Sequence, residues 1–220
     1  MKFIPNVLTL ANAALGCCAL FFIAILDYDM ATLCVLSAAV FDFFDGFVAR
    51  TMGWTSRFGA EFDSLADVIS FGVVPGALAT VMLSSAQVDY PLIFLGFIIT
   101  LASAYRLAKY NTSENGQSYF RGLPSPANAL FWVGVPHLEL DLTFPLLIGG
   151  IIVTSYLLNS SIVFYRLQFK NSIIFAVLIL LIMLYLLFLW MRFDHGAWSI
   201  AISTYILLCV MYRLVAKSKG

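Results

Sequence analysis

The chain has few charged residues for its length. Asp, Glu, Lys and Arg make up only 11% of its 220 residues, whereas hydrophobic residues make up 62%. Soluble domains carry about 25% charged residues, so the composition argues against a soluble protein. The polar stretches are all short and leave no room for a separate soluble domain. With a formal net charge of zero and no long basic run, nothing indicates nucleic-acid binding.

Cysteine and histidine are also scarce. The four cysteines fall within apolar stretches and form no C-x-x-C pair, so we interpret them as small buried hydrophobic residues. The two histidines, His137 and His195, fall on the outer side in the topology derived below and are interpreted as interfacial. These patterns favour neither a zinc cluster nor a disulfide framework.

Long apolar stretches are present instead, and mean hydropathy is +0.95. A helix needs about 20 apolar residues to cross a bilayer, and stretches close to that length recur along the chain. The predicted spans are 7–26, 30–48, 65–82, 91–109, 142–158, 172–190 and 197–215, with a shorter one at 126–136.

The positions of Lys and Arg support counting the short stretch as an eighth span. Short cytoplasmic loops carry an excess of these residues. With eight spans and both termini cytoplasmic, eleven of the twelve basic residues are cytoplasmic and only Arg192 lies outside. We therefore predict an all-α integral membrane protein, a polytopic helical bundle with about eight transmembrane helices, forming one domain over 1–220.

Four aspartates lie within or against these apolar stretches: Asp42, Asp45, Asp63 and Asp67. A carboxylate at membrane depth costs at least ~2.5 kcal/mol, so a cation is expected to hold them. Spacings of three and four residues put each pair on one helix face, and the turn at 50–60 would bring the two faces together at the cytoplasmic surface.

Carboxylate oxygens with no His or Cys nearby suit Mg²⁺ or Mn²⁺. Four carboxylates can hold two ions, the arrangement that serves displacement at phosphorus. One alternative is that the aspartates are interfacial caps paired with Arg50 and Arg57. Another is an ion pathway through a divalent-cation transporter. Two arginines cannot neutralise four aspartates, and clustering at one side weakens the pathway reading.

Two other features favour a bound phosphate or nucleotide. Gly46 and Gly59 remove side chains where a phosphate would approach the backbone, and Arg50 adds positive charge. Asn6, Thr9 and Asn12 form a polar stripe on the first helix, which either lines a nucleotide pocket or makes hydrogen bonds between helices.

The stretch 42–67 reads D-x-x-D-G-x-x-A-R-x8-G-x-x-x-D-x-x-x-D, with eight fixed positions in 26 residues. It resembles the signature of CDP-alcohol phosphotransferases, integral membrane enzymes that join a CDP-linked lipid to an alcohol and release CMP. The resemblance implies that Asp42, Asp45 and Asp63 hold one ion and that Asp42, Asp63 and Asp67 hold another. The residues implied or expected to bind the CDP-lipid are Asn6, Thr9, Gly46, Ala49, Arg50 and Gly59.

Three further segments resemble the phosphatidylserine synthase branch: 4–16 (IPNVLTLANAALG), 62–76 (FDSLADVISFGVVPG) and 106–129 (RLAKYNTSENGQSYFRGLPSPANA). The likeness covers a catalytic core of about 1–135, and the helices of 136–220 are expected to carry little functional information. A homodimer and a bacterial cytoplasmic (inner) membrane location, with the active site facing the cytoplasm, are expected from the same likeness.

The implied acceptor is L-serine, and the implied donor is CDP-diacylglycerol. Arg106, Lys109 and Arg121 would bind the serine carboxylate, since arginine grips carboxylates bidentately, with Asn111 as a neutral partner. For Lys109, the positive-inside bias is an equally good explanation. Glycerol 3-phosphate and inositol phosphate remain alternative acceptors. Pro124 and Pro126, which flank Ser125, are interpreted as shaping a helix entry, with no chemical role implied.

The attacking hydroxyl needs a base, because its pKa lies far above 7. Base assistance is typically worth about 10²- to 10⁴-fold. Asp67, the last aspartate of the motif, is the candidate for this catalytic role.

Overall fold

The computed structural model describes residues 3–87, 89–112, 122–138, 140–162 and 194–218, and side chains only up to residue 209. Every regular element within these ranges is helical, which confirms the all-α prediction for them. The α-helices are α1 (Ile4–Ala24), α2 (Tyr28–Thr51), α3 (Arg57–Asp67), α4 (Val74–Ser85), α5 (Ile98–Asn111), α6 (Ser125–Gly134), α7 (Phe144–Asn159) and α8 (Ala197–Ser218). A π-helical turn at Val68–Val73 joins α3 to α4, and short 3₁₀ helices lie at Leu92–Phe97, Val135–Leu138 and Asp194–Gly196.

Four helical stretches are long and apolar enough to cross a membrane: Ile4–Ala24, Tyr28–Thr51, Arg57–Ser85 and Leu92–Asn111. They overlap the first four predicted spans, and the protein is a membrane protein. Helix α7 is apolar but shorter, and α6 is the short helix predicted at 126–136. The predicted span 172–190 lies outside the described residues, so the total of eight stays a prediction.

Helix α1 packs along α2 and against the π-helical turn, and α4, α6 and α7 complete the core. Its largest fully buried side chains include Phe71 of the turn and Trp132 of α6. Small residues permit the close crossings, as is common between membrane helices. A Cβ added to Gly16 of α1 would lie 2.5 Å from Ser70 Oγ in the turn.

The π-helical turn has a local cause in Pro75, near the start of α4. Proline has no N–H to donate to the carbonyl four residues back, and its ring clashes with that carbonyl. Widening the helix over Val68–Val73 relieves the clash, and Thr100 of α5 donates to the Gly72 carbonyl at 2.9 Å. Such turns are frequent at functional sites, and this one begins directly after Asp67.

Contacts near the helix ends define two distinct ends of the bundle. At the end that we call the site end, Ser64 in the second half of α3 contacts Asn111, the last residue of α5. At the opposite end, which we call the far end, Asp29 lies 3.6 Å from His137 and 3.8 Å from His195. Both histidines are therefore remote from the aspartates, as predicted.

Candidate active site

Three of the four aspartates converge at the site end. Asp42 comes from α2, and Asp63 and Asp67 come from α3, one helical turn apart. One carboxylate oxygen from each lies within 4.8 Å of the others. Asp45, one turn after Asp42, is only 4% exposed. It lines both of the cavities described below, as Asp63 does. The two aspartate-bearing faces of α2 and α3 therefore meet, as the residue spacing predicted.

These carboxylates differ in their hydrogen-bond partners. The Thr9 hydroxyl donates to Asp45 Oδ2 at 2.7 Å, and Asn12 Nδ2 lies 3.4 Å from Asp67 Oδ1. Asp63 Oδ1 is buried and has no hydrogen-bond partner within the described part of the chain. A buried, unpartnered carboxylate oxygen is costly unless a cation reaches it. An all-oxygen donor set around such an atom fits a hard divalent ion, so these residues could hold a metal.

A cavity of about 220 Å³ opens between α1, the end of α2 and the start of α3. All six residues predicted to bind the CDP-lipid line it: Asn6, Thr9, Gly46, Ala49, Arg50 and Gly59. The lining also includes three residues that were not predicted, from the connection between α2 and α3: Trp54, Thr55 and Ser56. We call this the smaller cavity.

Two glycines in this wall lie close to neighbouring side chains. Ser56 Oγ caps α3 by accepting a hydrogen bond from the Gly59 N–H at 3.0 Å. A Cβ on Gly59 would lie 3.1 Å from that oxygen and 3.4 Å from Asn6 Oδ1. On Gly46 a Cβ would lie 3.4 Å from Arg50 Nη1, so the guanidinium lies close over the glycine. The N-terminus of α3 adds a partial positive charge beside Arg50.

A larger cavity, of about 530 Å³, adjoins the first. The two cavities share four lining residues: Asp45, Gly46, Arg50 and Asp63. Asp42 and Asp67 line the larger cavity only, together with Arg106, Tyr110, Ser125 and Tyr205. The carboxylates therefore stand where two compartments meet.

The residues predicted to bind the acceptor are not all in this cavity. Arg106 lines it and donates from Nη1 to Ser125 Oγ at 3.0 Å. Among the described residues, Lys109 and Asn111 line neither cavity, and Asn111 instead contacts Ser64 at 2.9 Å. Arg121 lies outside the described residues. Arg106 is thus the one predicted acceptor residue that the structure brings to the aspartates.

Two residues in the larger cavity were not expected there from the sequence. Ser125, to which no chemical role was given, is fully buried and accepts from both Arg106 and Ser103, the latter at 3.3 Å. Tyr205 brings α8 into the cavity, although that region was expected to carry little functional information. A serine between two prolines at a helix start was a usable signal, whereas one tyrosine in an apolar helix gave none.

A bundle of membrane helices with a cluster of carboxylates between two polar cavities defines a class, that of integral membrane proteins with an acidic site. The particular family follows from comparison. The family described as CDP-alcohol phosphatidyltransferase matches residues 2–211, and the chain belongs to this family. The predicted resemblance is confirmed.

Several characterised proteins are similar to the chain. A Helicobacter pylori protein named CDP-diacylglycerol--serine O-phosphatidyltransferase is 37% identical over 135 residues, 59% of this chain and 55% of that protein. A Bacillus subtilis protein of the same name is 32% identical over 170 residues, 74% of this chain and 90% of that protein. The archaetidylserine synthase of Methanothermobacter thermautotrophicus is 33% identical over 160 residues, 69% of this chain and 67% of that protein. The chain thus spans little more than half the length of the Helicobacter relatives.

Proposed function

We propose that the protein transfers the phosphatidyl group of CDP-diacylglycerol to the hydroxyl of L-serine, giving phosphatidylserine and CMP. The serine oxygen forms a bond to the lipid-linked phosphorus, and the bond from that phosphorus to the oxygen of CMP breaks. The observation that carries this proposal is the meeting of two polar cavities at Asp45, Gly46, Arg50 and Asp63. A nucleotide lipid and a separate acceptor need two such compartments joined at the reacting phosphate.

The smaller cavity suits the CDP headgroup. Its wall combines the Arg50 guanidinium, the N-terminus of α3 and the amide of Asn6. The first two are sources of positive charge for a pyrophosphate. Gly59 places no side chain of its own in this wall, where a phosphate would approach.

The larger cavity suits serine because of its charges. Arg106 can bind the serine carboxylate, and the aspartates across the cavity can face the ammonium group. In the described lining of this cavity, Arg106 is the one cation not shared with the smaller cavity. A phosphorylated acceptor such as glycerol 3-phosphate or inositol phosphate would call for more positive charge. The names of the relatives quoted above share serine while differing in the lipid, which supports the same acceptor.

We further propose that the aspartates hold two Mg²⁺ or Mn²⁺ ions. Asp42, Asp63 and Asp67 would hold one, and Asp42, Asp45 and Asp63 the other. When bound, such ions supply Lewis-acid stabilisation of charge on the phosphate oxygens. The supporting observations are the 4.8 Å cluster and the unpartnered Asp63 Oδ1.

Asp67 is the proposed general base for the serine hydroxyl. It lines the larger cavity together with Arg106 and does not belong to the described lining of the smaller one. That position is on the acceptor side of the shared wall, where the proton must be taken. Asn12 engages only one of its oxygens.

The proposed setting is a bacterial inner membrane, with the site end and both termini cytoplasmic. The site end carries Arg50, Arg57 and Lys109, whereas the far end carries Asp27 and Asp29, which follows the positive-inside pattern. We also keep the proposals of a single domain over 1–220, of about eight spans and of a homodimer. The family match gives no support to the alternative of a divalent-cation transporter.

In the test, purified full-length protein is incubated with CDP-diacylglycerol, Mn²⁺ and one of three acceptors: serine, glycerol 3-phosphate or inositol phosphate. CMP release is measured. Release that depends on serine is expected. Release with a phosphorylated alcohol alone would contradict the serine assignment, and no release with any acceptor would contradict the enzyme assignment.

A further inference from the structure

Helix α1 contributes no carboxylate to the site, yet it contacts one aspartate of each pair. Thr9 and Asn12 lie one helical turn apart, on the same face of α1. Thr9 meets Asp45 of α2, and Asn12 meets Asp67 at the end of α3. We infer that Thr9 and Asn12 are positioning residues, which orient these two carboxylates toward the ions that the proposed function places between them.

Thr9 is well placed to hold Asp45. It is only 3% exposed, and its hydroxyl lies 2.7 Å from Asp45 Oδ2 and 3.0 Å from the Pro5 carbonyl. A hydroxyl has one proton, and the bond to a charged acceptor is the shorter and stronger one. The other oxygen of Asp45 remains for an ion.

Asn12 acts on Asp67 in the same way. It is fully buried, and its Nδ2 lies 3.4 Å from Asp67 Oδ1. As a neutral amide it offers a donor without adding charge. Its own Oδ1 is buried with no partner among the residues described. Asn12 is thus a polar residue in an apolar helix, and of its two amide atoms only Nδ2 has a described side-chain partner, Asp67. This fits a role in holding Asp67.

The backbone around Asn12 is itself held in place. Ser70 of the π-helical turn donates to the Asn12 carbonyl at 2.9 Å. One turn further along α1, Gly16 lets the same serine approach closely. Asp67 is the residue at which the α-helix gives way to the π-helical turn. The contact between α1 and the π-helical turn thus holds in place the junction that sets the direction of the Asp67 side chain.

The three residues of the polar stripe on α1 therefore have different roles. Asn6 lines the smaller cavity, Thr9 lines it and also holds Asp45, and Asn12 belongs to the described lining of neither cavity. The two alternatives left open by the sequence, a pocket lining and bonds between helices, thus both occur, at different residues.

The inference rests on the proposed metal site, and its test measures Mn²⁺ binding without any acceptor. Full-length protein in detergent would be titrated with Mn²⁺ and followed by electron paramagnetic resonance. Thr9→Val and Asn12→Leu remove the donors at nearly constant volume. Partners that orient metal ligands are typically worth 10- to 100-fold in affinity, so each variant is expected to bind Mn²⁺ about 10- to 100-fold more weakly.

Matched controls separate positioning from general damage. Thr154→Val removes a threonine that is equally buried, at 3%, but lies on α7 and contacts Trp132. Asn128→Leu removes an asparagine on α6 that is as fully buried as Asn12. Both controls are expected to keep wild-type affinity for Mn²⁺. Thr9→Ser keeps the hydroxyl and is expected to restore most of the affinity lost in Thr9→Val.

Wild-type Mn²⁺ affinity in folded Thr9→Val and Asn12→Leu would overturn the inference, as would equal losses in the two controls. If Asn12→Leu does not fold, Asn12→Ala replaces it, with the same expectation. Wild-type protein that binds Mn²⁺ but releases no CMP with serine would contradict the proposed acceptor and leave the positioning role standing. Wild-type protein that binds no Mn²⁺ would contradict the proposed metal site and, with it, the positioning role.

Discussion

The four aspartates share a side-chain chemistry, but each has different surroundings. Asp45 and Asp67 each have one oxygen held from α1, whereas Asp63 has a buried oxygen with no partner in the described structure. Asp42 completes the cluster with Asp63 and Asp67. Substitutions at these positions should therefore have distinguishable effects.

Asp67→Asn should separate proton removal from metal binding. We expect it to keep measurable Mn²⁺ binding while turnover falls by about 10²- to 10⁴-fold, the usual worth of a general base. Asp42→Asn and Asp63→Asn should lose metal and turnover together. Turnover and Mn²⁺ titration of the purified variants measure both quantities. Near-normal turnover of Asp67→Asn with intact metal content would show that Asp67 is not the base.

Arg106→Lys should weaken the binding of serine more than that of the nucleotide lipid. Lysine cannot reproduce both the bond to Ser125 and a bidentate grip on a carboxylate. A lost hydrogen bond to a charged group costs about 1.5–3 kcal/mol, so KM for serine should rise roughly 10- to 100-fold. Arg57→Lys is the matched control, because Arg57 is exposed and belongs to neither described cavity lining.

An equal rise in KM for serine and for CDP-diacylglycerol would contradict this role for Arg106. Steady-state kinetics with each substrate varied in turn provides the comparison.

Individual residues were predictable where chemistry and spacing combined. The aspartates could be found because carboxylates are rare in apolar helices, and their pairing followed from helical periodicity. Asn12 and Tyr205 could not be assigned, because their roles depend on which helices pack together. Ser125 could not be assigned for the same reason, since its partners Ser103 and Arg106 come from a different helix.

At the scale of the elements, the length of the apolar stretches predicted the positions of the helices well. It did not predict local irregularities within them. The predicted span 65–82 is part of one long helical stretch, Arg57–Ser85, interrupted by the π-helical turn. Pro75 signalled a disturbance, but where the extra residue of the turn is absorbed depends on the contacts that the turn makes with Thr100 of α5 and, through Ser70, with Asn12 of α1. Tertiary contacts of this kind are not visible in one sequence.

The far end of the bundle should make stability depend on pH. Burial, and then the neighbouring His195, lower the pKa of His137 from its usual 6.5. The unfolded chain therefore takes up a proton at higher pH than the folded protein. Stability should be fully present above pH ~6.5 and should fall as pH drops from there toward the lowered pKa of the folded state.

Thermal unfolding of detergent-purified protein at several pH values tests this expectation. The fall in Tm from pH 8 to pH 5 should be smaller in His137→Gln, which cannot titrate, than in the wild type. An identical pH dependence in the two proteins would show that His137 is not the source of the pH dependence.

For the whole molecule, the orientation in the membrane stays a prediction from charge. The orientation can be measured by cysteine labelling in a variant whose four native cysteines are replaced by alanine. Met52 at the site end and Tyr90, in the connection that follows α4, are 60% and 74% exposed and suit the purpose. A membrane-impermeant maleimide on intact cells should label Tyr90→Cys and spare Met52→Cys until the cells are permeabilised. The reverse pattern would place the active site outside.

The proposed reaction moves a phosphatidyl group from a nucleotide lipid to serine. Its most direct measurement is the incorporation of labelled serine into lipid by the purified protein with CDP-diacylglycerol and Mn²⁺, alongside CMP release. The account predicts one serine incorporated for each CMP released, and neither product with Asp63→Asn. CMP release without serine entering the lipid would contradict it.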